Sequence, residues 1–270
     1  MIFDLHNDLP TGKLSNKDKR LEYVNTSDDV IYAFWTTELS DATGFIRNGI
    51  NELFSANQAF AIEDLGFANR LDVETICDIK PYYCGLTHNG DNALAGGALG
   101  HGRLTVFGKA TVNRLNRAAI AIDSAHLNRE SFFDVANAAY RLINTHTGLN
   151  SLCEHPRNLT DEQVKLILSR GGIVGLTAVR DFIGGNSSAD YIRLIDGFVQ
   201  KFGIDGACIG TDFHGTEPLE NLRNYDDFEQ IEYALENLGY ESADVRKIFY
   251  DNANNYFKYR RYNPNETRHL

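Results

Sequence analysis

Residues 3–10 read Phe3-Asp4-Leu5-His6-Asn7-Asp8-Leu9-Pro10. A short apolar run broken by His6 and Asp8 has the form of a β-strand in which positions i and i+2 share a face, so an imidazole and a carboxylate stand side by side. That pair is half of a metal site. A strand this early has no preceding scaffold, so the remaining ligands must be delivered by later strands.

Seven further strand-like runs follow, over residues 30–36, 59–65, 82–87, 118–123, 141–145, 173–179 and 207–212. Most of them run into an ionisable residue. The third contains Glu63-Asp64, the fourth leads to His88, the fifth to Ser124-Ala125-His126, the sixth to His146, and the eighth ends on Asp212. Helical stretches alternate with them. Ile46, Ile50, Leu53 and Phe54 recur at helical spacing over 46–58, and Asn128 stands as an N-cap before Phe132, Val135, Ala136 and Ala139. Thr160-Asp161-Glu162-Gln163 has the form of a capping box, and the helix it opens ends at Gly171-Gly172. Further helices are expected over 191–202, 227–238 and 242–259.

Eight strands alternating with helices in 270 residues predict one α/β domain spanning 1–270, a (β/α)8 barrel of the TIM type. Such barrels build their sites at the C-terminal ends of the strands. His6, Asp8, Glu63, His88, His126, His146 and Asp212 all fall there. His101, His155 and His269 read as ordinary polar residues, while His214, two positions after Asp212, is placed to line the mouth of a site.

Composition narrows the partners. A formal charge of −11 without a visible basic face argues against nucleic acid and anionic membranes, and no apolar span is long enough to cross a bilayer. The N-terminus carries neither a basic region nor an apolar leader, and the four cysteines show no CxxC spacing, so a cytoplasmic protein with reduced thiols is expected. The polar stretch 11–29 reads as a surface connection. The Gly-rich stretch 89–103 matches neither phosphate-binding fingerprint and reads as a mobile loop beside the site.

Six pieces of sequence, in this order, give the chain a resemblance to the membrane (renal) dipeptidase family, peptidase family M19 of the amidohydrolase superfamily. They are Asp4-Leu5-His6-Asn7-Asp8-Leu9-Pro10, Ala61-Ile62-Glu63, Leu86-Thr87-His88-Asn89, Ile122-Asp123-Ser124-Ala125-His126, Thr145-His146-Thr147 with the following 155–163, and Gly210-Thr211-Asp212-Phe213-His214-Gly215. The resemblance implies two Zn2+ ions per chain, with His6 and Asp8 on the first, His126 and His146 on the second, and Glu63 and a hydroxide bridging them. It further implies Asp212 as the proton carrier, His88 as a donor to the oxyanion, and Arg157 as the clamp on a dipeptide's free carboxylate.

Hydrolysis of dipeptides, including those with a C-terminal D-residue, is the activity so implied, and a homodimer is a common assembly in the family. Two other expectations stand beside it: an amidohydrolase acting on N-acyl amino acids, lactones or related small amides, and a barrel that binds metal or ligand without turnover. The chain departs from the family at Leu176-Thr177-Ala178-Val179-Arg180, where relatives carry an Asn-Phe-Tyr run, at His214, and in the short span between Asp8 and Glu63.

Overall fold

Eight parallel strands close on one another in sequence order: β1 (Phe3–Asn7), β2 (Asp29–Phe34), β3 (Ala59–Ile62), β4 (Tyr83–Gly85), β5 (Ala121–Asp123), β6 (Leu142–Thr147), β7 (Val174–Leu176) and β8 (Ala207–Ile209). The computed structural model describes residues 1–11, 29–36, 42, 44, 46, 47, 49 and 59–262, with side chains through Lys258. The predicted barrel is thus present. Except for β6, which reaches Thr147 beyond the run 141–145, its strands are shorter than the apolar runs: the run 173–179 pairs only over Val174–Leu176, and the remainder is buried loop backbone, with Thr177 and Ala178 at 0% and 2% exposure. Parallel strands covered on both faces read as continuous apolar runs, so their ends leave little mark in the sequence.

The strands enclose an inner layer of Phe3, Leu5, Ile31, Ala61, Tyr83, Ala121, Ile143, Ile173 and Cys208, and a larger outer layer packs them against the helices. Alternation therefore sends Phe3 and Leu5 inward and Asp4 outward. By the same rule His6 belongs outside. The ladder corrects this: Asp4 pairs with Val30 and Asn7 with Tyr32, so β1 advances three residues while β2 advances two. The same slip occurs in β6, where Asn144 pairs with Val174 and Thr147 with Leu176. Each bulge holds one histidine, His6 or His146, and a bulge is a device for re-aiming a side chain.

Two helices absent from the sequence reading, α1 (Arg70–Ile79) and α2 (Val106–Arg117), complete the crossovers around β4. Their starts carry recognisable signals. Asn69 and Asp72 exchange capping-box hydrogen bonds, and the Thr105 hydroxyl accepts from the Gly108 amide at 2.9 Å. The later helices are α3 (Arg129–Ala138), α4 (Asp161–Ser169), the short α5 (Arg180–Ile183), α6 (Ser188–Phe202), α7 (Phe228–Asn237) and α8 (Ser242–Arg246). The expected helix at 46–58 and the polar connection at 11–29 lie largely outside the described residues, of which 42, 44, 46, 47 and 49 are helical.

The closing stretch is not one uniform helix. A π-helical turn, Lys247–Asp251, joins α8 to α9 (Asn252–Tyr262), and α9 lays Ala253 and Phe257 across the N-terminal end of the barrel against Phe3 and Tyr82. Phe257 is wholly buried. Its replacement by alanine is expected to cost about 3–5 kcal/mol, through lost transfer energy and the cavity left beneath the barrel. The check is a lower urea midpoint at unchanged slope; an unaltered midpoint would mean that the plug carries no stability. Capping this end leaves the opposite, C-terminal end as the open mouth.

Candidate metal centre

Glu63, one residue beyond β3 and 4% exposed, is the hub of that mouth. Its Oε1 lies 2.8 Å from His126 Nε2, 3.7 Å from His6 Nε2 and 3.9 Å from His146 Nε2. His6 Nε2 is also 3.5 Å from Asp8 Oδ1 and 3.9 Å from Asp212 Oδ1. Three strand-end imidazoles and three carboxylates thus converge from the ends of β1, β3, β5, β6 and β8. Ligand atoms of His6, Asp8 and Asp212 lie within 4.8 Å of one another, as do those of Glu63, His88 and His126, and those of His6, Asp123 and His146.

All eight residues singled out in the sequence are in or beside this cluster. His88 is half-buried, its ring centred 4.4 Å from that of His126 and 5.1 Å from Trp35. Arg157 is buried, with Nη2 2.8 Å from His146 Nε2 and its guanidinium 5.3 Å over the Phe182 ring. His155, which reads as an ordinary polar residue, stacks on the same Phe182 and accepts the Arg157 amide on Nδ1 at 3.2 Å. Phe182 is an aromatic residue after β7, six positions beyond Leu176, and the spacing of the family run does not find it.

The backbone at the site is strained. His126 and Asp212 adopt left-handed φ values of 66° and 61°, and His214 follows at 69°. Such conformations cost of order 1–3 kcal/mol each in residues other than glycine, and they persist where neighbours over-determine them. The His126 carbonyl accepts from the Ala98 amide at 2.7 Å and from the Thr87 hydroxyl at 3.3 Å, while its Nδ1 meets Asn89 Oδ1 at 3.0 Å. Asp212 donates its amide to the His6 carbonyl at 3.1 Å. A Cβ at Gly215 would run into Asp8 Oδ2 and Asp212 Oδ1, so any larger residue there would displace the carboxylates of the site.

The Gly-rich stretch expected to be mobile is closely tied. Asp91 accepts the amides of Gly97, His101 and Gly102 at 3.0–3.2 Å, and Asn92 and Ser131 hold the amides of Leu94, Ala95 and Gly96. These bonds hold the Asp91 carboxyl below its ordinary range, the Gly102 amide first among them. The segment works as the buttress of His126.

Electrostatics favour a cation at the centre. Burial alone would strip the His6 ring of its proton, but the Asp8 carboxylate, with Glu63 and Asp212, reverses this and holds it at about 10. Burial pushes Asp8 and Asp212 up, and the negative charges of Glu63 on Asp8 and of Asp8 on Asp212 add to it. His126 and His146 lie well below the usual histidine range, through burial and then the positive charges of Arg157 and His6 respectively. Arg157 is drawn down to about 10 by burial, against the pull of Asp212, and so stays charged at neutral pH. Two neutral imidazoles beside crowded carboxylates are stabilised by a divalent ion.

The polar atoms agree. Among the described residues, His6 Nε2 and Asp8 Oδ1 are buried without a hydrogen-bond partner, and His126 Nε2 faces His146 Nε2 at 3.0 Å. Imidazole nitrogen and carboxylate oxygen are the donor set of zinc, so the residues present fit that metal.

The chain is 29% identical over 157 residues to an uncharacterised protein encoded in the pqqA 5′ region of Klebsiella pneumoniae, covering 55% of this chain and 58% of that one. It is 25% identical over 226 residues to an uncharacterised dipeptidase of Schizosaccharomyces pombe, covering 77% and 50%. The chain thus spans about half the length of these curated relatives. The fold is shared with a metallo peptidase of Rhodobacter sphaeroides solved with a phosphinate mimic of the dipeptide L-Ala-D-Ala, at TM-score 0.85 and 18% identity over 95% of this chain and 98% of that one. It is shared also with the M19 metallo peptidase dipeptidase AC, at TM-score 0.82 and 20% identity over 93% and 96%.

The model of the membrane dipeptidases matches residues 68–263, which include His88, His126, His146, Arg157 and Asp212 but begin after His6, Asp8 and Glu63. The closed barrel joins those three to the rest, and the chain belongs to the membrane dipeptidase family, peptidase family M19.

Proposed function

We propose that this protein is a binuclear zinc dipeptidase. His6 and Asp8 would hold one ion and His126 and His146 the other, with Glu63 shared between the two. The observation that carries this is the convergence on Glu63 Oε1 of three imidazole Nε2 atoms within 3.9 Å, in a buried mouth that Asp8 and Asp212 also face. When bound, zinc supplies Lewis acidity and lowers the pKa of water from about 15.7 to about 7.

The chain's own groups supply the rest. Arg157, charged and braced by Phe182, receives the free carboxylate of the substrate, a pairing that fixes its length and register. His88, at the open side of His126, donates to the carbonyl oxygen as it becomes an oxyanion; such donors are typically worth roughly 3–4 kcal/mol. Asp212 takes the proton released by the attacking water and returns it to the departing amine.

The test is elemental analysis of the purified chain together with a panel of L,L dipeptides, L,D dipeptides and N-acyl amino acids. The Rhodobacter neighbour's L-Ala-D-Ala mimic motivates the L,D arm. Two zinc equivalents with dipeptide turnover are expected. Two equivalents with turnover only of N-acyl amino acids would replace the dipeptidase by a related amidohydrolase, two without turnover would leave a binding barrel, and a chain without metal would remove the proposal.

A further inference from the structure

The inner layer of the barrel is apolar apart from a few residues, among them Tyr83, Asp123 and Thr145, and these three are engaged with the two bulge histidines. His146 Nδ1 lies 3.0 Å from the Thr145 hydroxyl oxygen, and His6 Nδ1 lies 2.8 Å from the Tyr83 hydroxyl oxygen. A hydroxyl has one proton to give. Thr145 gives its proton to Asp123 Oδ2 at 2.6 Å, and the other Asp123 oxygen accepts the amides of Ala125 and Thr145, each at 3.0 Å. Tyr83 gives its proton to the Leu5 carbonyl at 3.0 Å. Both hydroxyl oxygens therefore face the rings as acceptors, and each ring must donate from Nδ1.

A separate contact supports the same tautomer at His146. Arg157 Nη2 approaches His146 Nε2 at 2.8 Å, and a guanidinium only donates, so Nε2 is the nitrogen with the lone pair.

We propose that Thr145, oriented by Asp123, and Tyr83, oriented by the Leu5 carbonyl, are positioning residues that keep a proton on Nδ1 of His146 and of His6 and so leave Nε2 as the atom each ring turns to the metal centre. The inference rests on the metal reading above but is legible without it. The outer partner of a metal-binding imidazole sets its tautomer, its orientation and its basicity, and loss of such a partner typically costs about 10–100-fold in metal affinity.

The test uses the full chain labelled with 15N-histidine. Long-range 1H–15N spectra of the metal-free protein report which nitrogen of His146 is protonated. Zinc affinity is then measured by competition with a chelating indicator for the wild type, Thr145→Val, Thr145→Ser and Tyr83→Phe. The wild type is expected to show His146 protonated at Nδ1, Thr145→Val to lose that preference and bind zinc about 10–100-fold more weakly, and Thr145→Ser to restore both. Tyr83→Phe is expected to weaken zinc binding by a similar factor.

His146 protonated at Nε2 in the wild type would overturn the proposal and move the shared proton to Asp123. Wild-type affinity in both Thr145→Val and Tyr83→Phe would overturn it as well. The wild-type spectrum needs no variant, so a Thr145→Val chain that fails to fold does not leave the question open. A wild type that binds no zinc yet shows the Nδ1 form would sink the functional proposal while keeping the tautomer assignment.

Discussion

Glu63→Gln is expected to empty the metal centre while leaving the barrel folded. Among the described residues, Glu63 is the one whose carboxylate oxygen lies within 3.9 Å of all three imidazole Nε2 atoms. Glutamine keeps its size and one carbonyl oxygen but removes the charge and replaces one acceptor oxygen by an amide that cannot hold a cation. Changes in the outer partners of metal ligands typically cost about 10–100-fold in affinity, so loss of the shared charge is expected to exceed 100-fold. The stabilisation that zinc confers shrinks with it: a 100-fold loss of affinity at a fixed, saturating zinc concentration removes about 2.7 kcal/mol.

Two measurements check this together. Elemental analysis should give well under two equivalents of zinc, and the rise in melting temperature on adding zinc should fall below that of the wild type. Turnover falls with occupancy, and excess zinc partly restores it. A variant that retains two equivalents and the full zinc-dependent rise would refute the bridging role, and an unfolded variant by circular dichroism would show that Glu63 holds the barrel rather than the metal.

The parts of this site that could be read from the sequence are those that obey simple rules. Buried parallel strands are apolar, so eight short runs stand out, and the polar residue that ends most of them lies at the mouth. His88, His126 and Asp212 were visible on that basis. The geometry that makes them work was not. Alternation from Leu5 puts His6 outside the barrel, and only the bulges between Asp4 and Asn7 and between Asn144 and Thr147 bring His6 and His146 inward. A bulge is chosen by cross-strand pairing, which no local pattern in either strand encodes.

The same holds for the second layer. Tyr83 and Thr145 look like any β-prone strand residues, and Asp123 reads as a strand terminus; their engagement with His6 and His146 is a tertiary fact. The Gly-rich stretch departs from its expected mobility for a different reason. Its glycines suggest freedom, but Gly96, Gly97 and Gly100 sit where a Cβ would strike neighbouring backbone, Asn128 or Asp91, so they permit close packing around a carboxylate staple. Helices α1 and α2 were missed although Asn69-Arg70-Leu71-Asp72 and Thr105 carry ordinary capping signals.

Asp212→Asn should separate proton transfer from metal binding, with kcat lowered about 10²–10⁴-fold at nearly unchanged zinc content. The backbone here is fixed independently of the side chain: Asp4 accepts the Thr211 amide at 2.9 Å, the Thr211 hydroxyl at 2.5 Å and the Tyr225 hydroxyl at 2.7 Å, and the Asp212 amide is spent on His6. Asparagine therefore keeps the turn while losing the carboxylate charge and the ability to take a proton.

The sign of the stability effect follows from the same carboxyl. Burial and then Asp8 raise its pKa in the folded chain, so without metal its ionisation costs stability once the pH passes the ordinary carboxylate range. The metal-free variant should accordingly be at least as stable as the metal-free wild type at neutral pH. In turnover, a base must be ionised to act, so the wild-type rate climbs with pH through the Asp212 ionisation, and the variant's residual rate should lack that limb.

The position also allows the opposite result, because the Asp212 carboxylate stands with His6 and Asp8 in one cluster of ligand atoms within 4.8 Å. If Asp212→Asn loses one zinc equivalent, and added zinc restores both occupancy and most of the rate, then Asp212 is a ligand of the first ion and the proton carrier must be sought elsewhere. Full occupancy with a rate that added zinc does not recover assigns the proton to Asp212.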